Sequence, residues 1–119
     1  NNYTAQSGVQ RAKLNVERAQ LNYDQTKESL KITIGQALAD AKAAKSRFQA
    51  TEKTKNAQTN VYNNALKRFE AGSTNVFELT RLKTQMETAD INLLIAKYEY
   101  LFRTKVLDFY LGKPIKLSN

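Results

Sequence analysis

The chain has 119 residues, a formal charge of +8, no cysteine, no histidine, four glycines and one proline. Disulfides and thiolate metal sites are therefore excluded, and the commonest general base and metal ligand is missing. Lys, Glu, Gln, Ala and Leu dominate with many Asn and Thr, which favours long solvated helices packed side by side over a compact α/β enzyme.

The length suits one domain at most. The basic residues are spread rather than clustered: Arg11, Lys13, Arg18, Lys27, Lys31, Lys42, Lys45, Arg47, Lys53 and Lys55 alternate with Gln, Asn and Thr. Glu17, Asp24, Glu28 and Asp40 partly offset them. This pattern reads as a solvated helix face and not as a nucleic-acid or anionic-membrane surface. No run approaches the ~18 apolar residues of a spanning helix, and no signal peptide is recognisable. The start at Asn1-Asn2-Tyr3, without Met, suggests a piece excised from a longer protein.

In the first segment the residues Val9, Ala12, Val16, Ala19, Tyr23, Thr26 and Leu30 alternate steps of three and four, which is a heptad seam. An extra four-residue step from Leu30 to Ile34 is a stutter that locally unwinds a supercoil. The seam resumes at Ala37, Ala41, Ala44, Phe48 and Thr51. Its many alanines require a closely approaching neighbour. Leu14, Leu21, Leu38 and Ala43 lie off the seam and suggest a second, weaker contact face. Between Thr51 and Asn60 the seam turns polar (Thr51, Lys55, Gln58), as in a hydrated stretch of coiled coil. Apolar spacing returns at Tyr62, Ala65 and Phe69.

The stretch RFEAGSTNVFEL, residues 68–79, then breaks the pattern. Gly72 can take the left-handed conformation that ends a helix. Ser73, Thr74 and Asn75 are N-cap candidates, and Asn75-x-x-Glu78 reads as a capping box. The expected architecture is all-α: a long antiparallel, coiled-coil-like helical hairpin. One helix runs over about 5–70, a tip turn over 71–75, a second helix over about 76–111, and a short tail over 112–119.

The second helix continues the alternation through Leu79, Leu82, Met86, Ala89, Leu93, Ala96 and Tyr100. Ile91, Leu94, Tyr98, Leu101 and Phe102 add a second apolar stripe, so this helix is expected to touch neighbours on two sides. Gly112 and Pro114 end it. At 1.5 Å per residue the arms would reach roughly 100 Å and some 55 Å, so the far end of the first needs a cover from outside the chain. No Ser/His/Asp set, carboxylate pair or phosphate loop is present, and neither catalysis nor a cofactor or metal is expected.

Three pieces of this sequence resemble the last periplasmic helical hairpin of TolC-type outer-membrane efflux proteins. SGVQRAKLNVERAQLNYDQTKESL resembles the family's Ala- and Gln-rich descending helix. FEAGSTNVFEL resembles its periplasmic tip, with an aromatic, a Gly, a small polar residue and an acid six after the Gly. AKYEYLFRTKVLDFYLG resembles the ascending end, with paired tyrosines and a terminal Leu-Gly. The resemblance implies a homotrimer whose helices are staves of a periplasmic α-barrel. The missing β-barrel would hold it in the outer membrane. A periplasmic adaptor (membrane fusion) protein, and an inner-membrane pump indirectly, would be its partners.

The resemblance also assigns candidate roles. Gly72, Ser73, Thr74 and Asn75 match the tip that meets the adaptor, and an ordinary helix-reversal turn explains the same residues. Glu78 matches an acid lining the constricted entrance, a role compatible with completing a cap. A second acid is found one turn later in the family. Here that position is Arg81, which allows a Glu78–Arg81 pair within the tip. Tyr98 and Tyr100 match the paired tyrosines and read as packing residues. The rival is a coiled-coil adaptor or scaffold binding a partner through its tip; its arms would be of similar length and flanked by β segments.

Overall fold

The structure, a computed structural model, describes residues 1–116 and consists of two α-helices, with no strand among the described residues. Helix α1 is Asn2–Glu70 and helix α2 is Val76–Tyr110. The fold is all-α, as the periodicity requires. Helix α1 begins three residues before the expected Ala5 because Asn1 caps it. The Asn1 Oδ1 accepts from the Tyr3 N–H at 3.3 Å, and its carbonyl accepts from the Ala5 N–H at 3.2 Å. Lys67 and Arg68 occupy its last turn, where cations complement the helix dipole.

Helix α2 stops at Tyr110 because Gly112 takes a φ of +71°. The Gly112 N–H donates to the Phe109 carbonyl at 3.1 Å and the Lys113 N–H to the Asp108 carbonyl at 2.9 Å, the paired bonds of a Schellman ending. Of the expected tail 112–119, residues 117–119 lie outside the described residues.

The chain divides into two compact units, Asn1–Gln36 and Ala37–Asn119. The first is a single stretch of α1. Every seam position from Val9 to Leu30 is exposed there, and only Ser7 and Ile34 are half-buried. The off-seam Leu14 and Leu21 are exposed as well.

The second unit is the hairpin. Asp40 pairs with Arg103, Arg47 with Glu99 and Lys55 with Asp90, so α2 runs antiparallel to the second half of α1. The core follows the predicted seam: Ala37, Ala41, Ala44 and Ala65 from α1 against Leu82, Ala89 and Ala96 from α2. Phe48, Tyr62, Leu79, Met86, Leu93 and Tyr100 are half-buried along it, whereas Phe69, also expected on the seam, is exposed beside the tip turn. Phe48 and Tyr100 pack with ring centroids 6.0 Å apart. Among the described residues, six of the seven buried ones are alanine. The backbones therefore approach closely, while each contact buries little more than one methyl group, worth ~0.8 kcal/mol.

The polar middle of the seam has a local explanation. The Thr51 hydroxyl donates to the Arg47 carbonyl at 2.6 Å and the Thr59 hydroxyl to the Lys55 carbonyl at 2.9 Å. Both hydroxyls are thereby satisfied within α1. Lys55 sits half-buried at a seam position with its ammonium 3.9 Å from the Asp90 carboxylate. Among the described residues no buried side-chain nitrogen or oxygen lacks a partner.

Candidate functional site: the hairpin tip

The reversal between the helices is built from five residues, 71–75. Gly72 has a φ of +73°. Its N–H donates to the Phe69 carbonyl at 2.9 Å, and the Ser73 N–H donates to the Arg68 carbonyl at 2.8 Å. This is a Schellman ending, the same device that closes α2. The Ser73 hydroxyl adds a bond to the Arg68 carbonyl at 3.0 Å. No atom lies within 4 Å of where a Gly72 Cβ would stand. A side chain there meets no clash; its penalty is the left-handed backbone itself.

Asn75 starts α2. Its backbone is extended, with φ −104° and ψ 165°, and its Oδ1 accepts from the Glu78 N–H at 2.9 Å. Only this half of the expected capping box forms. The Glu78 carboxylate turns instead to Arg81, taking bonds from Nε at 3.0 Å and from Nη2 at 2.5 Å. A bidentate, charge-assisted pair outcompetes a single bond to the neutral Asn75 N–H. The hydrogen bond from Arg81, with Coulomb attraction from Arg81 and Arg68, holds the Glu78 carboxyl below its ordinary range. The same bond pushes Arg81 up. Glu78 at the first turn of α2 also faces the positive end of the helix dipole.

The tip thus brings together all six residues singled out from the sequence. Gly72 and Ser73 end one helix, Thr74 bridges as a half-buried residue, Asn75 starts the next, and Glu78 pairs with Arg81. What the sequence reading passed over is Phe77. It is 83% exposed beside an exposed Val76. The signal was there: Leu79 and Leu82 define the seam, so Phe77, two residues before Leu79, has to face away from α1. The paired tyrosines divide. Tyr100 packs on Phe48, whereas Tyr98 is exposed with Ile91, Leu94, Leu101 and Phe102, the whole of the second stripe.

Away from the tip, one flank of the hairpin carries an open cleft of about 710 Å³ lined by Thr51, Thr54, Gln58, Thr84, Gln85 and Asn92 among others. Its charged members, Arg47 and Glu99, are paired with each other at 2.7–2.8 Å. The lining offers amides and threonine hydroxyls, of which those of Thr51, Thr54 and Thr84 already bond to their own helix. No helix among the described residues is long and apolar enough to cross a membrane, and no group of three or more metal-ligating side chains is found among them.

No curated protein and no solved structure matched the chain. The family model described as "Outer membrane efflux protein" matches residues 4–113, a span that holds both helices' seams, the Gly72 tip and the Leu111-Gly112 ending. The chain therefore belongs to the outer membrane efflux protein family, a family of transport proteins.

Proposed function

We propose that this chain is a periplasmic α-helical part of a trimeric outer-membrane export channel and that it docks to a periplasmic adaptor protein through the tip, Gly72 to Asn75. Family membership carries the channel assignment. The tip assignment rests on geometry. The only left-handed glycine between the helices, capped on both sides, presents small side chains at the end of the hairpin, where a partner's backbone can approach. Exposed Val76 and Phe77 add apolar surface beside it. Transport through such a part is passive, driven by an inner-membrane pump. Three copies of the Glu78–Arg81 pair would line the entrance with neutral ion pairs and not with a ring of acids.

The apolar stripes serve assembly in this reading. Val9 to Leu30 in the first unit and Ile91 to Phe102 on α2 are the exposed apolar faces that a stave of an α-barrel turns to its neighbours. The test is a pair of variants in the intact channel. Gly72→Val strains the turn by about 1 kcal/mol or more. It should weaken adaptor binding and export while trimers still form. Ala12→Lys puts a charge on the exposed seam of the first unit and should hinder assembly before it affects docking. Normal export and adaptor binding by Gly72→Val would show that the tip is not the docking site.

A further inference from the structure

The hairpin seam repeats every seven residues and, Lys55 and Gln58 apart, is apolar or small on both helices, so sliding α2 along α1 by one heptad leaves its apolar positions chemically similar. Phe48, which faces Tyr100, would meet Leu93 or Leu107 instead. The alanines discriminate no better. The charges do discriminate. In the observed register Asp40 lies 3.6 Å from Arg103, Arg47 2.7 Å from Glu99 and Lys55 3.9 Å from Asp90. One heptad to either side of Asp90 stand Lys83 and Lys97. A slip in either direction therefore sets Lys55 against a lysine. The slip toward Lys83 also leaves Asp40 opposite Ala96 and Arg47 opposite Asn92. The slip toward Lys97 leaves Arg47 opposite Val106.

We infer that Lys55 and the Lys83–Asp90–Lys97 row form a register key, which selects one alignment of the hairpin from those the seam permits. Placing a cation at a seam position sacrifices apolar packing, and its return is specificity: the wrong alignments meet like charges while the right one meets an acid. The inference does not depend on transport or on docking.

The tip turn also restrains register, so the test releases it. An insertion of about eight Gly and Ser residues between Ser73 and Thr74 adds little closure entropy and lets α2 slide either way. The chain has no cysteine, so introduced pairs report without background. Thr54→Cys with Asn92→Cys, one heptad tipward of Arg47 and Glu99 and lining the same cleft, reports the observed register. Thr54→Cys with Gln85→Cys and Val61→Cys with Asn92→Cys report the two slips. A short bismaleimide links each pair, and mass spectrometry counts the intramolecular adducts. With Lys55 in place the observed-register adduct should dominate. Lys55→Asp is repelled by Asp90 and attracted by Lys83 and Lys97, and should raise the ratio of slipped to observed adducts about threefold or more, the factor a half-exposed ion pair supports. Lys55→Gln, which removes charge with little change in shape, should give an intermediate ratio. Reversing all four charges (Lys55→Asp, Lys83→Asp, Asp90→Lys, Lys97→Asp) should restore the parent ratio. An unchanged ratio in Lys55→Asp, at unchanged helix content by circular dichroism, or no restoration in the four-site variant, overturns the key.

Discussion

Glu78 and Arg81 illustrate how one substitution redirects a cap. An acid three residues after Asn75 is what a capping box needs, but an arginine within reach on the next turn takes both carboxylate oxygens. The consequence is a depressed carboxyl pKa whose first cause is the bond from Arg81. A group lowered in this way stabilises the fold above its unfolded pKa, and the contribution is lost as pH falls through the folded value. NMR titration should find Glu78 below the usual carboxylate range, and Arg81→Gln should return it toward that range. An unshifted Glu78 in the parent chain would mean that the pair does not persist in solution.

At the scale of the element, the hairpin is held by alanines, and alanine seams are intolerant of volume. Ala65 is 0% exposed and sits about two turns before the Gly72 reversal. Ala65→Leu forces extra methylenes into a closely approached pair of backbones and should destabilise by about 1–3 kcal/mol. Leu14→Ala, on an exposed position of the first unit, should change stability by less than about 0.5 kcal/mol. Thermal melting followed by circular dichroism separates the two. Similar losses from both would mean that the seam is looser than its burial indicates. Along the polar stretch Thr51, Thr54 and Thr59 have their hydroxyls satisfied on α1, so the cleft beside Thr51 and Thr54 leaves none of the three unbonded.

For the whole molecule, the exposed stripes predict association. Val9, Val16, Tyr23 and Leu30 are all exposed at heptad spacing, and a chain carrying such a stripe is expected to cover it with another copy. Sedimentation at several concentrations should reveal oligomers of the isolated chain, and Val16→Lys with Tyr23→Lys should shift them toward monomer. A monomeric parent chain at high concentration would leave the stripe without an assembly role. The net charge of +8 opposes association, so raising the salt concentration should favour it.

The sequence by itself determined that the chain is two helices with a reversal at Gly72. It also fixed which faces are apolar, because the three–four spacing from Ala37 to Phe69 and from Leu79 to Tyr100 admits no other backbone period. It identified the tip residues and allowed the Glu78–Arg81 pair, since both depend on neighbours in the chain. The unequal arm lengths also implied that the far end of the first seam has no cover within the chain. In the structure Val9 to Leu30 are exposed, whereas Ala37, Ala41, Ala44 and Ala65, on the same heptad pattern, are buried in the hairpin. Only the tertiary structure decided that the polar middle borders an open cleft, with the Thr51 hydroxyl bonded back to its own helix and Lys55 paired with Asp90 across the hairpin. Spacing assigns a residue to a face of its own helix. What that face meets depends on residues distant in the chain, and periodicity carries no record of them.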